Sequence, residues 1–111
     1  MTYYSVTRSG DGFVAAWPTK GEIYFARLDA NGSPLAPKEI KTPGQCGMRT
    51  GLLSIATSDG QTLVAWKKDN QLGWQLYDGL GRPSGKAASA TSSGSGVAGV
   101  LAKNGDLILF K

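Results

Sequence analysis

The chain has 111 residues, of which 41% are hydrophobic and 18% are charged, and it carries a formal net charge of +4. No apolar run approaches the ~20 residues of a membrane-spanning helix, and the sequence contains no histidine, the commonest general base and metal ligand. The composition therefore predicts one small globular domain without a membrane span. It excludes catalysis by a Ser-His-Asp or Cys-His arrangement.

Short β-favouring runs separated by turn residues fill the chain. Sixteen glycines and five prolines interrupt runs rich in Val, Ile, Leu, Tyr, Phe and Trp, and no stretch has helical periodicity. The sequence therefore predicts an all-β chain. The predicted strands span residues 3–8, 13–17, 22–29 and 35–41 in a first unit (1–50), residues 52–57, 62–67, 72–78 and 86–91 in a second unit (51–96), and residues 99–103 and 106–111 in a final half-unit (97–111).

The two complete units are copies of each other. Trp17 is followed 49 positions later by Trp66, and the turn at residues 29–34 is matched at the same offset by residues 78–83. In the half-unit, Phe110 stands where the complete units carry tryptophan. A period of 44 to 49 residues filled with short strands is typical of β-propeller blades. We therefore predict propeller blades of four antiparallel strands, in the order ABCD-ABCD-AB.

The apolar runs 13–17 and 63–66 favour stacked blades over other all-β folds. Both runs are apolar throughout instead of alternating, as is typical of sheets covered on both faces. The alternative is a small β-sandwich or barrel, in which each sheet has one solvated face and alternating strands. A stack of blades that does not close keeps bare apolar faces at its ends. The blade interpretation therefore predicts a protein partner, or self-association, that completes the propeller.

The repeated turn has the residues of a structural hairpin. Asp29, Asn31 and Ser33 resemble the start of a calcium loop, but the second copy keeps only the aspartate, the glycine and the proline. A tight turn needs an Asp that accepts backbone N–H bonds and a Gly with positive φ. We therefore predict no metal site, and we expect the repeated tryptophans to be buried and equivalent. The residues assigned structural roles are Trp17, Trp66, Asp29, Gly32, Asp78 and Gly81.

Residues without a counterpart in the other copy are the candidates for ligand binding. Tyr24 stands opposite Gly73, and the segment 67–71 differs from its counterpart in the first unit. Connections that differ between the copies lie at the opposite end of the blades from the repeated turns, and variable loops on a rigid scaffold carry function. The predicted binding residues are Tyr24, Lys67, Lys68, Asp69, Asn70 and Gln71.

The charge distribution predicts no nucleic-acid partner. The twelve Lys and Arg residues are scattered, and the densest groups are only Lys38 with Lys41 and Lys67 with Lys68. Nucleic-acid-binding proteins gather their positive charge on one face. Cys46 is the only cysteine, so no internal disulfide can form.

The string from Asp11 to Trp17, followed by the string from Ile23 to Pro34, resembles the blades of bacterial secreted or cell-envelope propeller-like repeats. Those repeats have the form Asp-Gly-x-hydrophobic-hydrophobic-x-Trp, then Tyr-x-x-Arg-hydrophobic-Asp-x-x-Gly-x-Pro. The resemblance implies a propeller and an extracellular or periplasmic location, although the first residues show no signal peptide. Such repeats serve as scaffolds, adhesion modules and lectin-like binders. The second copy departs by carrying Leu76 where Arg27 stands.

The sequence predicts a binding function without chemistry. The eight carboxylates are spread over turns, and no activated nucleophile can be identified, so we expect no enzyme, no catalytic residue and no cofactor. We expect a binding or assembly module made of propeller blades, either as a subunit or as the C-terminal fragment of a larger propeller. The alternative is a carbohydrate-binding, lectin-like propeller.

Overall fold

A computed structural model describes residues 5–45, 52–91, 98–101 and 107–110, and over these ranges the chain is all β, as predicted. The strands form two four-stranded antiparallel sheets and a two-stranded pair, each with neighbouring strands in chain order. Sheet 1 contains β1 (Ser5–Ser9), β2 (Gly12–Thr19), β3 (Glu22–Leu28) and β4 (Ile40–Gln45); sheet 2 contains β5 (Leu52–Ser58), β6 (Gln61–Lys68), β7 (Gln71–Tyr77) and β8 (Ala88–Thr91); the pair contains β9 (Ala98–Leu101) and β10 (Leu107–Phe110).

The fourth strand of sheet 1 begins later than the predicted residue 35. After β3 the chain makes an isolated bridge between Leu28 and Pro34 and then passes through Pro37. Proline has no N–H to donate to a strand ladder, so regular pairing is interrupted there. Pairing resumes at Ile40, which lies opposite Phe25. The corresponding strand of sheet 2 also starts late, at residue 88 instead of 86.

The first hairpin turn is shorter than the predicted strands imply. The predicted strands 3–8 and 13–17 leave residues 9–12 as the connection, but Gly12 pairs with Ser9 and begins β2, so the turn is Gly10-Asp11. With this correction, β1–β3 and β5–β7 have the same pairing register at an offset of 49 residues. The repeat therefore extends to the individual residue pairs of the two sheets.

Each sheet has two faces, and each face carries its own set of repeated positions. Because side chains alternate along a strand, the residue pairs assign every position to one of two faces. We call these the leading and the trailing face, and equivalent faces are related by the 49-residue offset. The leading faces carry Val14, Ala16, Ile23 and Phe25 in sheet 1 and Leu63, Ala65, Leu72 and Trp74 in sheet 2; the trailing faces carry Val6, Phe13, Ala15, Trp17, Tyr24 and Leu28 in sheet 1 and Ile55, Thr62, Val64, Trp66, Gly73 and Tyr77 in sheet 2.

The leading face of sheet 1 packs against the trailing face of sheet 2. The rings of Phe25 and Tyr77 are 4.5 Å apart between centroids, and the two residues are 0% and 1% exposed. Val14 and Val64 belong to the same buried cluster. The two faces that meet are therefore not equivalent in the repeat, and the contact has a direction along the chain.

The β9–β10 pair lies on the other side of sheet 2. β9 contacts β5 and β6, whereas β1, β2 and β4 of sheet 1 contact sheet 2 from its trailing side. Consistent with cover on both faces, consecutive residues 62–65 of β6 are all buried. The first strands of the three units lie side by side, since β1 contacts β5 and β5 contacts β9. The Thr57 hydroxyl donates a hydrogen bond to the Arg8 carbonyl at this junction.

The architecture consists of two four-stranded sheets packed face to face. A small β-sandwich has the same arrangement. Over the described ranges, no helix has the length and apolar character that a membrane span requires.

Candidate functional site

The trailing face of sheet 1 is an uncovered apolar surface. Val6 is 63% exposed, and Ala15 and Leu28 are half-buried. The residues of sheet 2 that are equivalent to Ala15 and Leu28 have a different environment. They are Val64 and Tyr77, which are 0% and 1% exposed beneath sheet 1. The difference arises from position, because sheet 2 has a sheet against its trailing face and sheet 1 has none among the described residues.

The β3–β4 half of this face is polar and internally paired. The Tyr24 hydroxyl donates to a carboxylate oxygen of Glu22 at 3.0 Å, and the Lys41 ammonium lies 3.1 Å from the other oxygen. The hydrogen bonds from Lys41 and then Tyr24 lower the pKa of Glu22, and the bond to Glu22 raises the pKa of Tyr24. The Tyr24 ring also stacks on Trp17, with centroids 6.4 Å apart and an interplanar angle of 19°.

On sheet 2 the corresponding place is a small cleft. Gly73 replaces Tyr24, and Ser89 occupies the pairing position of Lys41, so the two larger side chains of sheet 1 have no counterparts at these positions beside Trp66. The end of β4 closes the cleft from sheet 1. The cleft has a volume of about 200 Å³ and is lined by Pro43, Gln45, Trp66, Lys68, Gln71, Leu72, Gly73 and Ser89.

The cleft offers one cation, two amides and a hydroxyl to a ligand. The Lys68 ammonium donates to the Gln45 side-chain oxygen at 3.4 Å, which links sheet 2 to sheet 1. The Gln71 side-chain amide donates to the Thr91 hydroxyl at 3.5 Å, a long contact that leaves the amide weakly held. These groups can exchange hydrogen bonds with a small polar molecule.

Trp66 forms the wall of the cleft by packing between two glycines. A Cβ built on Gly44 or on Gly73 would overlap the indole, so both positions require glycine for this packing. Contrary to the expectation that the repeated tryptophans are buried and equivalent, Trp17 and Trp66 are both half-buried and have different neighbours. The physical reason is that, among the described residues, no sheet lies against Trp17, which stacks on Tyr24 instead.

The structure brings together only part of the predicted binding set. Lys68 and Gln71 line the cleft, whereas Tyr24 lies on the trailing face of sheet 1. Lys67, predicted both as the last residue of the strand 62–67 and as a member of the variable segment 67–71, is a residue of β6 and is 4% exposed. The loop is shorter than predicted because Lys68 pairs directly with Gln71, which leaves Asp69 and Asn70 as an exposed two-residue turn.

The repeated turns have the predicted structural geometry. One carboxylate oxygen of Asp29 accepts the N–H groups of Asn31 and Ser33 at 2.9 Å each, and Asp78 binds its own turn in the same way. Gly32 and Gly81 have φ of +82° and +79°, respectively, as predicted. The hydrogen bonds from the backbone of Arg82 and Leu80 and from the Arg82 side chain lower the pKa of Asp78. Among the described residues, no three potential metal ligands are grouped.

Arg27 is a contact between the sheets that sequence reasoning missed. Its guanidinium donates to the Gly79 carbonyl of sheet 2 at 2.7 Å and to the Ala36 carbonyl of its own loop. The signal in the sequence was its replacement by Leu76 in the second copy. Gln45 and Ser89 were also missed, because their roles depend on how the two sheets meet.

Comparison of the chain with protein-family models, with curated proteins and with solved structures finds no match.

Proposed function

We propose that the chain is a non-enzymatic assembly module built of β-propeller blades. The observation that carries the proposal is the contact between non-equivalent faces, in which the leading face of one unit packs on the trailing face of the next. A contact of this kind is heterologous and can be repeated in the same direction. The trailing face of sheet 2 is covered in this way within the chain. The trailing face of sheet 1 is the equivalent surface, and the leading face of another unit could pack on it in the same way.

Two further features support blades over a closed sandwich. The first strands of the three units are adjacent, as they are at the centre of a propeller, where the sheets converge. Sheet 2 is also buried on both faces along β6, whereas a two-sheet sandwich covers one face of each sheet. We infer assembly because the trailing face of sheet 1 is apolar and uncovered, and exposed apolar surfaces of this kind promote association.

Lengthening the chain by one repeat tests the proposal. Residues 1–49 are duplicated ahead of the first residue, so that the leading face of the added unit can pack on the trailing face of sheet 1. In a stack of blades the added unit folds cooperatively with its neighbour, and the urea m-value rises with the additional buried surface. A closed sandwich has no place for the unit, and the m-value of the main transition would stay unchanged.

The matched control is the same lengthened chain with Val14→Asp in the added copy only. Val14 is 2% exposed in the existing interface, so a carboxylate at this position prevents packing without altering the original units. Equal m-values for the lengthened chain and this control would contradict the proposal.

Binding of a saccharide is a second candidate function, favoured by the cleft beside Trp66. Its aromatic wall, amides and hydroxyl are the groups that recognise sugar rings, and its volume of about 200 Å³ fits one ring. A glycan array followed by calorimetry of any hit tests this function. Gln71→Ala should abolish binding, whereas Asn70→Ala in the adjacent turn should not. An array without hits removes this candidate.

A further inference from the structure

We infer that the trailing face of sheet 1 docks the β9–β10 pair of a second copy of this chain, head to tail. This inference rests on the proposed function and identifies its partner. The structure itself provides the template, because the leading face of sheet 1 already packs on the trailing face of sheet 2 within the chain. The β9–β10 pair is the unit that follows sheet 2, and its leading face would make the same kind of contact with sheet 1 of the next copy.

The extent of the bare surface matches a two-stranded partner. The exposed Val6 and the half-buried Phe13 and Ala15 lie on β1 and β2, which are the first two strands of sheet 1. The half-buried Leu28 adds one apolar residue at the end of β3. Over the third and fourth strands, Tyr24 already covers Trp17 and bonds with Glu22. A partner of two strands would cover the apolar half and leave the internally paired half in solvent.

The order of the sheets gives the docking its direction. Sheet 1 packs on the trailing face of sheet 2, and β9 contacts sheet 2 through β5 and β6, so sheet 1 and the β9–β10 pair are the outer members of the described stack. When copies stack end to end, the β9–β10 pair of one copy meets the trailing face of sheet 1 in the next. The row of first strands β1, β5 and β9 then continues into β1 of the second copy. Such a heterologous contact closes into a ring or extends as a filament, in contrast to a twofold dimer.

Light scattering and sedimentation of the full chain over a concentration series test whether it associates. We expect the mass to rise with concentration. Val6→Glu places a carboxylate in the contact, and it should raise the half-association concentration by about tenfold or more, as the loss of a central contact does. Leu80→Glu is the matched control, because Leu80 is 59% exposed against 63% for Val6 but lies in the turn between β7 and β8. Leu80→Glu should associate like the wild type.

Complementation distinguishes head-to-tail docking from a twofold contact of one face with itself. Leu109 corresponds in repeat spacing to Ala65, and Leu109→Glu alters the β9–β10 pair while leaving sheet 1 unchanged. We expect each single variant to be monomeric and an equimolar mixture to form a dimer through its one intact interface. Circular dichroism verifies that Leu109→Glu is folded, and Leu107→Glu replaces it if it is not. A mixture that remains monomeric would overturn the inference.

The other outcomes separate this inference from the proposed function. A wild-type chain that is monomeric at all concentrations overturns self-docking, as does association that Val6→Glu does not weaken. In either case the proposed function stands if the lengthened chain gains its additional m-value, and it falls if the lengthened chain does not.

Discussion

Truncation of the two repeated tryptophans should have unequal effects, although they occupy equivalent positions in the repeat. Trp66 packs against Gly44 of the neighbouring sheet and borders the core cluster, whereas Trp17 contacts Tyr24 on an uncovered face. The structure therefore predicts that Trp66→Ala destabilises the chain much more than Trp17→Ala. The comparison tests whether sheet 1 lies against the trailing face of sheet 2.

The magnitudes follow from the two environments. Removal of a fully buried tryptophan costs about 3–5 kcal/mol, and the partial exposure of Trp66 reduces this to about 2–4 kcal/mol. The stacked pair of Trp17 and Tyr24 is worth about 0.5–1.5 kcal/mol, and Trp17→Ala should cost about 1 kcal/mol. The expected difference between the variants is therefore about 1–3 kcal/mol in the free energy of unfolding.

Urea unfolding followed by far-ultraviolet circular dichroism measures both losses, because this signal arises mainly from the backbone and can be followed when either tryptophan is removed. The measurements are made at concentrations at which the chain is monomeric, so that loss of association does not contribute. Trp17→Phe and Trp66→Phe are controls that retain a ring at each position. Equal losses for the two alanine variants would refute the placement of Trp66 between the sheets.

Three further predictions concern turns and titration. Gly81→Ala should cost more than the ~1 kcal/mol of positive-φ strain expected for Gly32→Ala, because a Cβ at position 81 would also overlap Ile40; equal losses in urea would contradict this. Burial raises the pKa of Tyr77 from 10.0 to about 12, so its contribution to stability is complete below pH 10 and is lost as the pH rises towards 12. Tyr77→Phe should remove this loss of stability at alkaline pH. Alkaline melting curves that are the same for the variant and the wild type would contradict this role of Tyr77. The pKa of Asp78 is lowered from its ordinary value of 3.8, so the ionised carboxylate stabilises the fold at higher pH and this contribution is lost as the pH falls below that value. Asp78→Asn should therefore weaken the dependence of stability on pH in acid, and an unchanged acid profile would exclude this role.

Local features of the fold could be predicted from the sequence. The turns at Asp29 and Asp78 depend on residues close together in the chain, so composition and spacing were sufficient to predict their geometry. The strand starting at Ile40 was misplaced because the prolines before it interrupt pairing, which the apolar pattern alone does not show. The segment 67–71 was predicted as a variable connection, but Lys68 pairs with Gln71, and the position of such a two-residue turn depends on strand register.

The site depends on contacts that a repeat alignment does not contain. Trp17 and Trp66 are identical in the alignment, and their environments differ only because a neighbouring sheet covers one of them. The cleft likewise requires both the glycine at position 73 and the approach of Gln45 from the other sheet. Arg27 and other residues that bond from one sheet to the other can be identified only when it is known which faces of the two sheets meet.

The central claim, that non-equivalent faces of the two repeats meet, is tested most directly by nuclear Overhauser effects between side chains in solution. We predict strong effects between the rings of Phe25 and Tyr77, whose centroids are 4.5 Å apart, and between the Trp66 indole and the α-protons of Gly44. Effects that connect Phe25 to Leu63 instead would place two equivalent leading faces together. That result would contradict the directional stack and the assembly derived from it.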